Sequence, residues 1–143
     1  MDEAQAAELV QRVFSEVIDG GDYSKLPELF DEEMVEHTGM GDFYGHDGLI
    51  AMLEGFRAAL PDYRHELSDI RLLDDSTLVW QARALASFTG EMLGVSGAGQ
   101  PVDLWVTNAA RVHDGRILEH WGPGSDTMAR LMEQMGLPQP AIG

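Results

Sequence analysis

The sequence predicts an α+β fold, with helices on one face of a bent antiparallel sheet. Two observations carry this prediction. Apolar residues recur at helical spacing up to residue 62, and after it they alternate at every second position. Helices followed by a meander of strands are typical of α+β domains. The 143 residues contain no internal repeat and no linker, so residues 1–143 are predicted to form one domain.

Three helices are predicted in the first half of the chain. The first covers residues 3–18, because its apolar residues lie on one stripe before a pair of glycines. The second is short, with Ser24 as its N-cap and Pro27 in its first turn. The third follows Gly45 and ends at Pro61, since a proline disfavours helical backbone in the residue before it.

The second half predicts strands and a closing helix. Residues 34–45, "MVEHTGMGDFYG", are compatible with a strand fragment or a loop, and "GVSGAGQP" at 94–101 is predicted to be a flexible connection. A closing helix is expected over 126–135, capped by Ser125 or Asp126. The predicted strands cover residues 63–73, 78–89, 102–112 and 116–121.

The turn at Asp114-Gly115 decides which residues of its two strands share a face. A two-residue turn would place Asn108 opposite Trp121, whereas a three-residue turn with a glycine bulge would place Asn108 opposite His120. The side-chain pattern favours the bulged turn, because it gives one largely apolar face. That face would comprise Val102, Leu104, Val106, Asn108, Ala110, Leu118, His120 and Gly122.

The predicted apolar face has small residues in its middle. Ala82, Ala84, Ala86, Ala110 and Gly122 leave space that larger residues at the margins could enclose. The alternative is that bulky helix side chains fill the space as ordinary core. We predict an apolar pocket for a hydrophobic small molecule. Its expected lining is Met40, Phe43, Tyr44, Phe56, Leu60, Trp80, Ala84, Phe88, Met92, Val106 and Gly122.

His120 is the main candidate for acid/base chemistry. Beside Asn108 it could exchange a proton near neutral pH, with the amide fixing its tautomer or donating to an enolate oxygen. A structural histidine at a strand end is the alternative. Glu36 and His37 are adjacent on the first strand fragment, so only one of them can face the pocket.

No metal or cofactor is predicted. His37, His120 and Asp126 do not follow the spacing of a ligand motif, and the chain has no cysteine. "GVSGAG" precedes a strand rather than a helix and so does not predict a phosphate site. The remaining histidines, at positions 46, 65 and 113, are predicted to be exposed.

Charge and composition narrow the expected partners and location. The net charge is −16, with 25 acidic residues against 9 lysines and arginines, which argues against nucleic acid and anionic membranes as partners. An acidic N-terminus without a long apolar run predicts a cytoplasmic protein. Trp105 and Trp121 are expected together on the outer sheet face, which predicts a homodimer.

Four stretches together resemble the SnoaL-like polyketide cyclase family, within the nuclear transport factor 2-like fold. They are "GHDGL" at 45–49, "ALPDYRHELSDI" at 59–70, "TGEMLGVSGAGQPV" at 89–102 and "RVHDGRILEHW" at 111–121. The resemblance implies a cone-shaped barrel of strongly bent antiparallel sheet, with N-terminal helices over its concave face. It also implies a usually dimeric protein with a deep apolar pocket, whose known members close polyketide rings by an aldol reaction without a cofactor.

The resemblance also bears on single positions. Family members commonly carry an acid/base aspartate after the residue matching Trp121, where this chain has Gly122, so Asp126 is a possible substitute. The family's polar residue on the first strand favours His37 as the inward residue, with Glu36 as the alternative. We therefore predict a cofactor-independent cyclase, isomerase or hydrolase for a hydrophobic ring or ester. The alternative is a non-catalytic binding or dimerisation module.

Overall fold

The structure, a computed structural model, describes residues 1–138 as four helices and eight strands. The helices are α1 Glu3–Arg12, α2 Leu26–Leu29, α3 Gly45–Ala59 and α4 Ser125–Met135; a π-helical turn, Val13–Ile18, continues α1, and a 3₁₀ turn, Tyr23–Lys25, precedes α2. The strands are β1 Phe30–Thr38, β2 Gly41–Tyr44, β3 Arg64–Leu72, β4 Thr77–Phe88, β5 Glu91–Met92, β6 Val95–Ser96, β7 Gln100–His113 and β8 Arg116–Trp121.

Six strands form one strongly bent sheet in the order β2-β1-β8-β7-β4-β3, which confirms the α+β prediction. Two details of the prediction are wrong. The sheet is mixed, because β1 runs parallel to β8, and it does not close into a barrel. The parallel pair could not be recognised locally, since about eighty residues separate its strands.

The flexible connection predicted at 94–101 includes β6, which pairs with β5 in a small hairpin, and the start of β7.

The predicted first helix is found over residues 3–18, although its last six residues form the π-helical turn. Asp2 and Gln5 form a reciprocal capping box at its start. The second helix begins differently from the prediction: Asp22, rather than Ser24, caps the turn, accepting from the Ser24 amide at 3.2 Å. The closing helix is capped by Gly124, without a side-chain hydrogen bond.

The core lies on the concave side of the sheet in two clusters. One joins α1, the π-helical turn and α3 to the middle of the sheet, and it includes Trp80. The other joins α4 to the far ends of β4 and β7, and it includes Phe88. No helix within residues 1–138 is long and apolar enough to cross a membrane.

The β7–β8 turn differs from the predicted one. Asp114 and Gly115 both have positive φ, 50° and 74°, and form a two-residue turn that pairs His113 with Arg116. The predicted three-residue turn is wrong, because Asp-Gly satisfies the backbone of the tighter turn directly.

A bulge in β8, close to the turn, returns His120 and Asn108 to the same face of the sheet, as predicted. Between its pairings with Val112 and Arg111, β8 carries one extra residue, so His120 pairs with Ala110. Ile117 is consequently buried, while Leu118, which was predicted to face inward, is only half-buried. His120 and Asn108 still share the concave face, because the observed and predicted registers differ by an even number of residues.

Candidate active site

A buried chain of three polar side chains crosses the floor of the concave face. Glu36 on β1 and His120 on β8 are register partners of the parallel pair. His120 Nδ1 lies 2.7 and 2.6 Å from the two carboxylate oxygens of Glu36, and its Nε2 lies 2.9 Å from Asn108 Oδ1. The three residues are 2%, 6% and 3% exposed, so their hydrogen bonds are shielded from solvent.

The side-chain amide of Asn108 determines where one hydrogen of the His120 ring lies. Its Nδ2 donates to the Val106 carbonyl at 3.1 Å, which leaves Oδ1 directed at His120. A flipped amide would place two acceptor oxygens against each other. Asn108 Oδ1 can only accept, so Nε2 of His120 carries a hydrogen.

A second proton lies between Nδ1 of His120 and the Glu36 carboxyl group. Without it, a nitrogen lone pair would face a carboxylate at 2.6 Å. The pair therefore exists either as imidazolium and carboxylate or as neutral imidazole and carboxylic acid. Both forms have no net charge and the same number of protons, so one buried proton can move between two residues without changing the charge of the site.

Trp80 covers one face of the His120 ring. The two rings are stacked, with centroids 5.4 Å apart and an angle of 4° between their planes. The face of an indole attracts a cation, so this stacking favours the imidazolium form. Trp80 was predicted to line the pocket; instead it is buried behind His120, and its Nε1 has no hydrogen-bond partner within residues 1–138.

An apolar cavity of about 100 Å³ opens on the three hydrogen-bonded side chains of Glu36, His120 and Asn108. Glu36, Asn108 and His120 contribute its polar surface near the floor. Three alanines of β4 and larger apolar residues of β7 contribute much of its wall. Of the predicted pocket residues, Phe56, Leu60, Ala84 and Val106 line the cavity.

The other predicted pocket residues lie elsewhere. Phe88 is buried in the core and Met92 packs against its outer edge. Met40, Phe43 and Tyr44 belong to the β1–β2 hairpin at the edge of the sheet, where Met40 and Tyr44 are exposed and Phe43 packs on α3 and the main core. None of these three residues lines the cavity.

Helices contribute lining residues that strand alternation could not identify. Apolar stripes on the predicted helices were the only available signal, and they do not distinguish cavity from core. The lining residues that the helices contribute are Phe14, Ile18, Met52, Leu53, Thr127 and Leu131.

His65 and Tyr63 also line the cavity. His65 was predicted to be exposed, but its side chain is 14% exposed and hydrogen-bonded to Asp19. His113 is exposed as predicted, whereas His46 is half-buried and bonded to the Phe30 carbonyl.

His37 faces away from the cavity, so its predicted inward position is wrong. Strand alternation places Glu36 inward and His37 outward, where its ring stacks on Trp121 at 4.9 Å. Its nitrogens lie 2.8 Å from Asp42 and 2.9 Å from Glu119. Burial opposes the charged imidazole, but the hydrogen bonds to Glu119 and Asp42 outweigh it and raise the pKa of His37 above its ordinary value.

Gly122, which was predicted to line the pocket, is not among the lining residues but borders the Glu36–His120 pair. A Cβ atom at this position would lie 3.5 Å from His120 Cε1 and 3.8 Å from Glu36 Oε1, which is ordinary contact distance. Its φ is not positive, so the backbone does not require glycine. The Glu36 carboxylate lies beside the position where the family resemblance leads us to expect an aspartate. Asp126 is exposed on the first turn of α4 and does not line the cavity.

A wider surface groove of about 580 Å³ runs along α1, from Met1 to Arg12. Its lining is mainly polar and charged, and its Arg12 is already paired with Glu16 and Glu28. It contains no histidine. The smaller cavity is the better candidate, because it combines an apolar wall with buried groups able to transfer a proton. Within residues 1–138 no cluster of three metal-ligating side chains occurs.

Comparisons with known proteins agree with this fold. The model of the SnoaL-like polyketide cyclase family matches residues 8–134, whereas no curated protein matches the chain. IdmH of Streptomyces antibioticus, a candidate polyketide cyclase, superimposes with a TM-score of 0.77 at 25% identity, over 93% of this chain and 99% of IdmH.

Two further solved structures share the fold. A candidate SnoaL-like polyketide cyclase from Jannaschia sp. CCS1 gives a TM-score of 0.81 at 21% identity, over 94% of each chain. AclR of Streptomyces galilaeus, a candidate hydroxylase, gives 0.77 at 21% identity, over 99% of this chain and 91% of AclR. The family match covers well over half of the sequence, and the chain belongs to the SnoaL-like polyketide cyclase family.

Proposed function

We propose that this protein is a cofactor-independent acid/base enzyme of polyketide-cyclase type, acting on a hydrophobic ring or ester compound. One observation carries the proposal: the hydrogen-bonded pair of Glu36 and His120 lies at the floor of an apolar cavity. The cavity wall selects apolar ligands, and the pair provides a base and an acid at the same point.

The proposed chemistry is reversible proton transfer next to a carbonyl. In the ionised form of the pair, the Glu36 carboxylate accepts a proton from the carbon beside the ligand's carbonyl group. The adjacent His120 imidazolium balances the negative charge that develops on the enolate. The pair returns a proton in the following step, so the protein ends unchanged. Ring closure, isomerisation and ester cleavage differ in what the enolate or carbonyl does next.

Two neighbours keep the imidazole in position for this reaction. Asn108 accepts from Nε2 and thereby directs Nδ1 toward Glu36. Trp80 supports the ring face and favours its charged form. Neither residue transfers a proton in this scheme.

The size of the cavity limits how a substrate can bind. At about 100 Å³ it is smaller than the roughly 150 Å³ of a cavity that accommodates benzene in another protein. One ring or a short chain must therefore enter with some displacement of the lining side chains. The rest of a larger substrate would extend toward solvent.

The test uses exchange of carbon-bound hydrogen in phenylacetone, a ketone with one ring and activated protons. The protein should accelerate loss of the proton signals next to its carbonyl in D₂O, followed by NMR. Glu36→Gln should lower this acceleration by about 10²–10⁴, the usual contribution of a general acid or base. The substitution keeps a neutral hydrogen-bonded chain, because the glutamine amide can donate to Nδ1, but it removes the mobile proton.

His37→Gln is the matched control, because the adjacent residue lies on the outer face and should leave exchange unchanged. Equal exchange by the wild type and Glu36→Gln would reject the proposal. Binding without exchange would support the alternative, a non-catalytic binding module, which the glycine at position 122 favours.

A further inference from the structure

The cavity has a second polar end, where His65 lines it and Asp19 holds the imidazole from outside the lining. His65 lies on β3 and pairs with Ala84, which also lines the cavity. Its Nδ1 is 2.7 Å from Asp19 Oδ1, and its backbone amide donates to Asp19 Oδ2 at 3.0 Å. β3 is an edge strand, so Asp19 satisfies an amide that no neighbouring strand could pair.

This end of the cavity is distinct from the Glu36–His120 end. Phe14 contacts His65 edge-on at 5.1 Å and Trp80 edge-on at 6.1 Å, and Trp80 in turn stacks on His120. Two aromatic rings therefore separate the two imidazoles.

Asp19 determines which nitrogen of His65 carries the hydrogen. Both carboxylate oxygens accept, one from the backbone amide and one from the ring, so Nδ1 must be the donor. In the neutral imidazole Nε2 then holds a lone pair. No residue between 1 and 138 forms a hydrogen bond with that nitrogen, although the side chain lines the cavity.

The other polar groups at this end are occupied by one another. The Tyr63 hydroxyl donates to the Ile18 carbonyl, and Arg57 donates to the same carbonyl at 2.8 Å and to the Tyr63 oxygen at 3.3 Å. Because these groups are already paired with one another, Nε2 of His65 is the acceptor that a ligand could use. The π-helical turn of residues 13–18 ends directly before Asp19 and delivers it to the strand edge, and π-helical turns occur frequently at functional sites.

We propose that Asp19 and His65 form a second ligand-recognition site, in which Nε2 accepts a hydrogen bond from a hydroxyl or enol group of the ligand. This deepens the proposed function and rests on the same cavity. The substrate class becomes a hydrophobic ring compound with a hydrogen-bond donor at the end remote from the carbonyl that Glu36 and His120 address.

The test compares three probes of similar size by NMR titration at pH 8, where free imidazole is uncharged. Phenol donates a hydrogen bond, benzonitrile only accepts one, and toluene does neither. The wild type should bind phenol about 3- to 10-fold more tightly than toluene, the range expected for one hydrogen bond, and should not favour benzonitrile.

Two substitutions separate recognition from structure. His65→Asn keeps a donor for Asp19 but removes the atom that Nε2 provides, so the preference for phenol over toluene should disappear. Asp19→Asn should reverse the preference. Its oxygen must accept from the backbone amide, so its NH₂ donates to Nδ1 and the hydrogen moves to Nε2. Benzonitrile should then bind about 3- to 10-fold more tightly than toluene.

Three results would overturn the inference: no binding of any probe, no preference for phenol in the wild type, or a preference that survives His65→Asn. The ¹⁵N shifts of His65 give an independent check, because they identify the protonated nitrogen in both proteins. Exchange of phenylacetone distinguishes the two proposals. If only the recognition site were wrong, the exchange would persist and depend on Glu36. If only the acid/base assignment were wrong, the exchange would be lost while the preference for phenol remained.

Discussion

The parallel strands β1 and β8 carry two histidine–carboxylate arrangements, one on each face of the sheet. On the inner face Glu36 bonds to His120; on the outer face His37 bonds to Glu119 and Asp42. The residue types and distances are similar. The inner pair is almost fully buried, whereas the side chain of His37 is 26% exposed.

This difference determines what each pair can do. A buried pair cannot exchange protons freely with water, so in the proposed reaction its single proton is kept for a ligand in the cavity. In a single subunit the outer pair lies at the surface, equilibrates with solvent and contributes little beyond local stability. Each strand position on β1 and β8 thus acquires its role from the face on which alternation places it, because the two faces differ in burial rather than in chemistry.

The largest expected difference between the faces concerns stability. Glu36→Leu leaves Nδ1 of His120 buried without a partner and should lower the free energy of unfolding by about 2–4 kcal/mol, between the cost of one unpaired group and that of a broken buried ion pair. His37→Leu, on the exposed side, should change it by less than about 1 kcal/mol. Urea denaturation measures both values, and equal losses would contradict the proposed difference.

The outer face is the proposed dimer interface, since Trp105 and Trp121 are 55% and 36% exposed on it. Trp121→Glu should weaken dimerisation by about 30-fold or more, because tryptophan residues at interface centres commonly contribute about 2 kcal/mol. Light scattering over a range of protein concentrations measures the effect. A monomeric wild type, or a folded variant that dimerises as well as the wild type, would reject this interface.

The inner face is predicted to keep space for a ligand. Ala84→Leu should fill the cavity and weaken phenol binding at least tenfold, with little loss of stability. In a packed core the same change would cost roughly 1–3 kcal/mol through overpacking. Ala109→Leu, on the outer face of β7, is the matched control and should leave phenol affinity unchanged. A strongly lowered melting temperature with unaltered phenol binding would argue against the cavity as the ligand site.

The smallest expected effect is the pH dependence contributed by His37. Its pKa is raised in the folded protein, so its contribution to stability is fully present below the unfolded value of about 6.5 and is lost as the pH rises through the folded pKa. The stability difference between the wild type and His37→Gln should therefore decrease from pH 6 to pH 8, by less than about 1 kcal/mol. Thermal unfolding across this range tests it, and a difference that grows with pH would have the wrong sign.

The inner site could be predicted from the sequence only in part. His120 and Asn108 were placed on one face correctly, although the predicted turn was wrong. An error of two residues in register leaves each side chain on the same face of the sheet, but it changes the residue opposite it on the neighbouring strand. Hydrophobic alternation indicates a face, and only the complete structure shows where β8 gains its extra residue.

The choice between Glu36 and His37 shows a different limit. Met34 is buried two residues before Glu36 and could have indicated an inward glutamate. Val35 is apolar as well and supports the opposite parity, so the local pattern was ambiguous. The parallel pairing with β8 resolves it, and pairing between distant strands leaves no local signal. His65 was assigned incorrectly for the same reason, because its partner Asp19 is 46 residues away.

The most direct test of the account observes the proton between Glu36 and His120. In ¹⁵N-labelled protein, both ring nitrogens of His120 should carry the signature of hydrogen bonding, and the Nδ1 signal should change when phenylacetone binds. In Glu36→Gln the imidazole should be neutral, with its hydrogen on Nε2, and should no longer respond in this way. A wild-type His120 whose signals ignore the ligand, while other cavity residues shift, would contradict the claim that this proton serves the cavity.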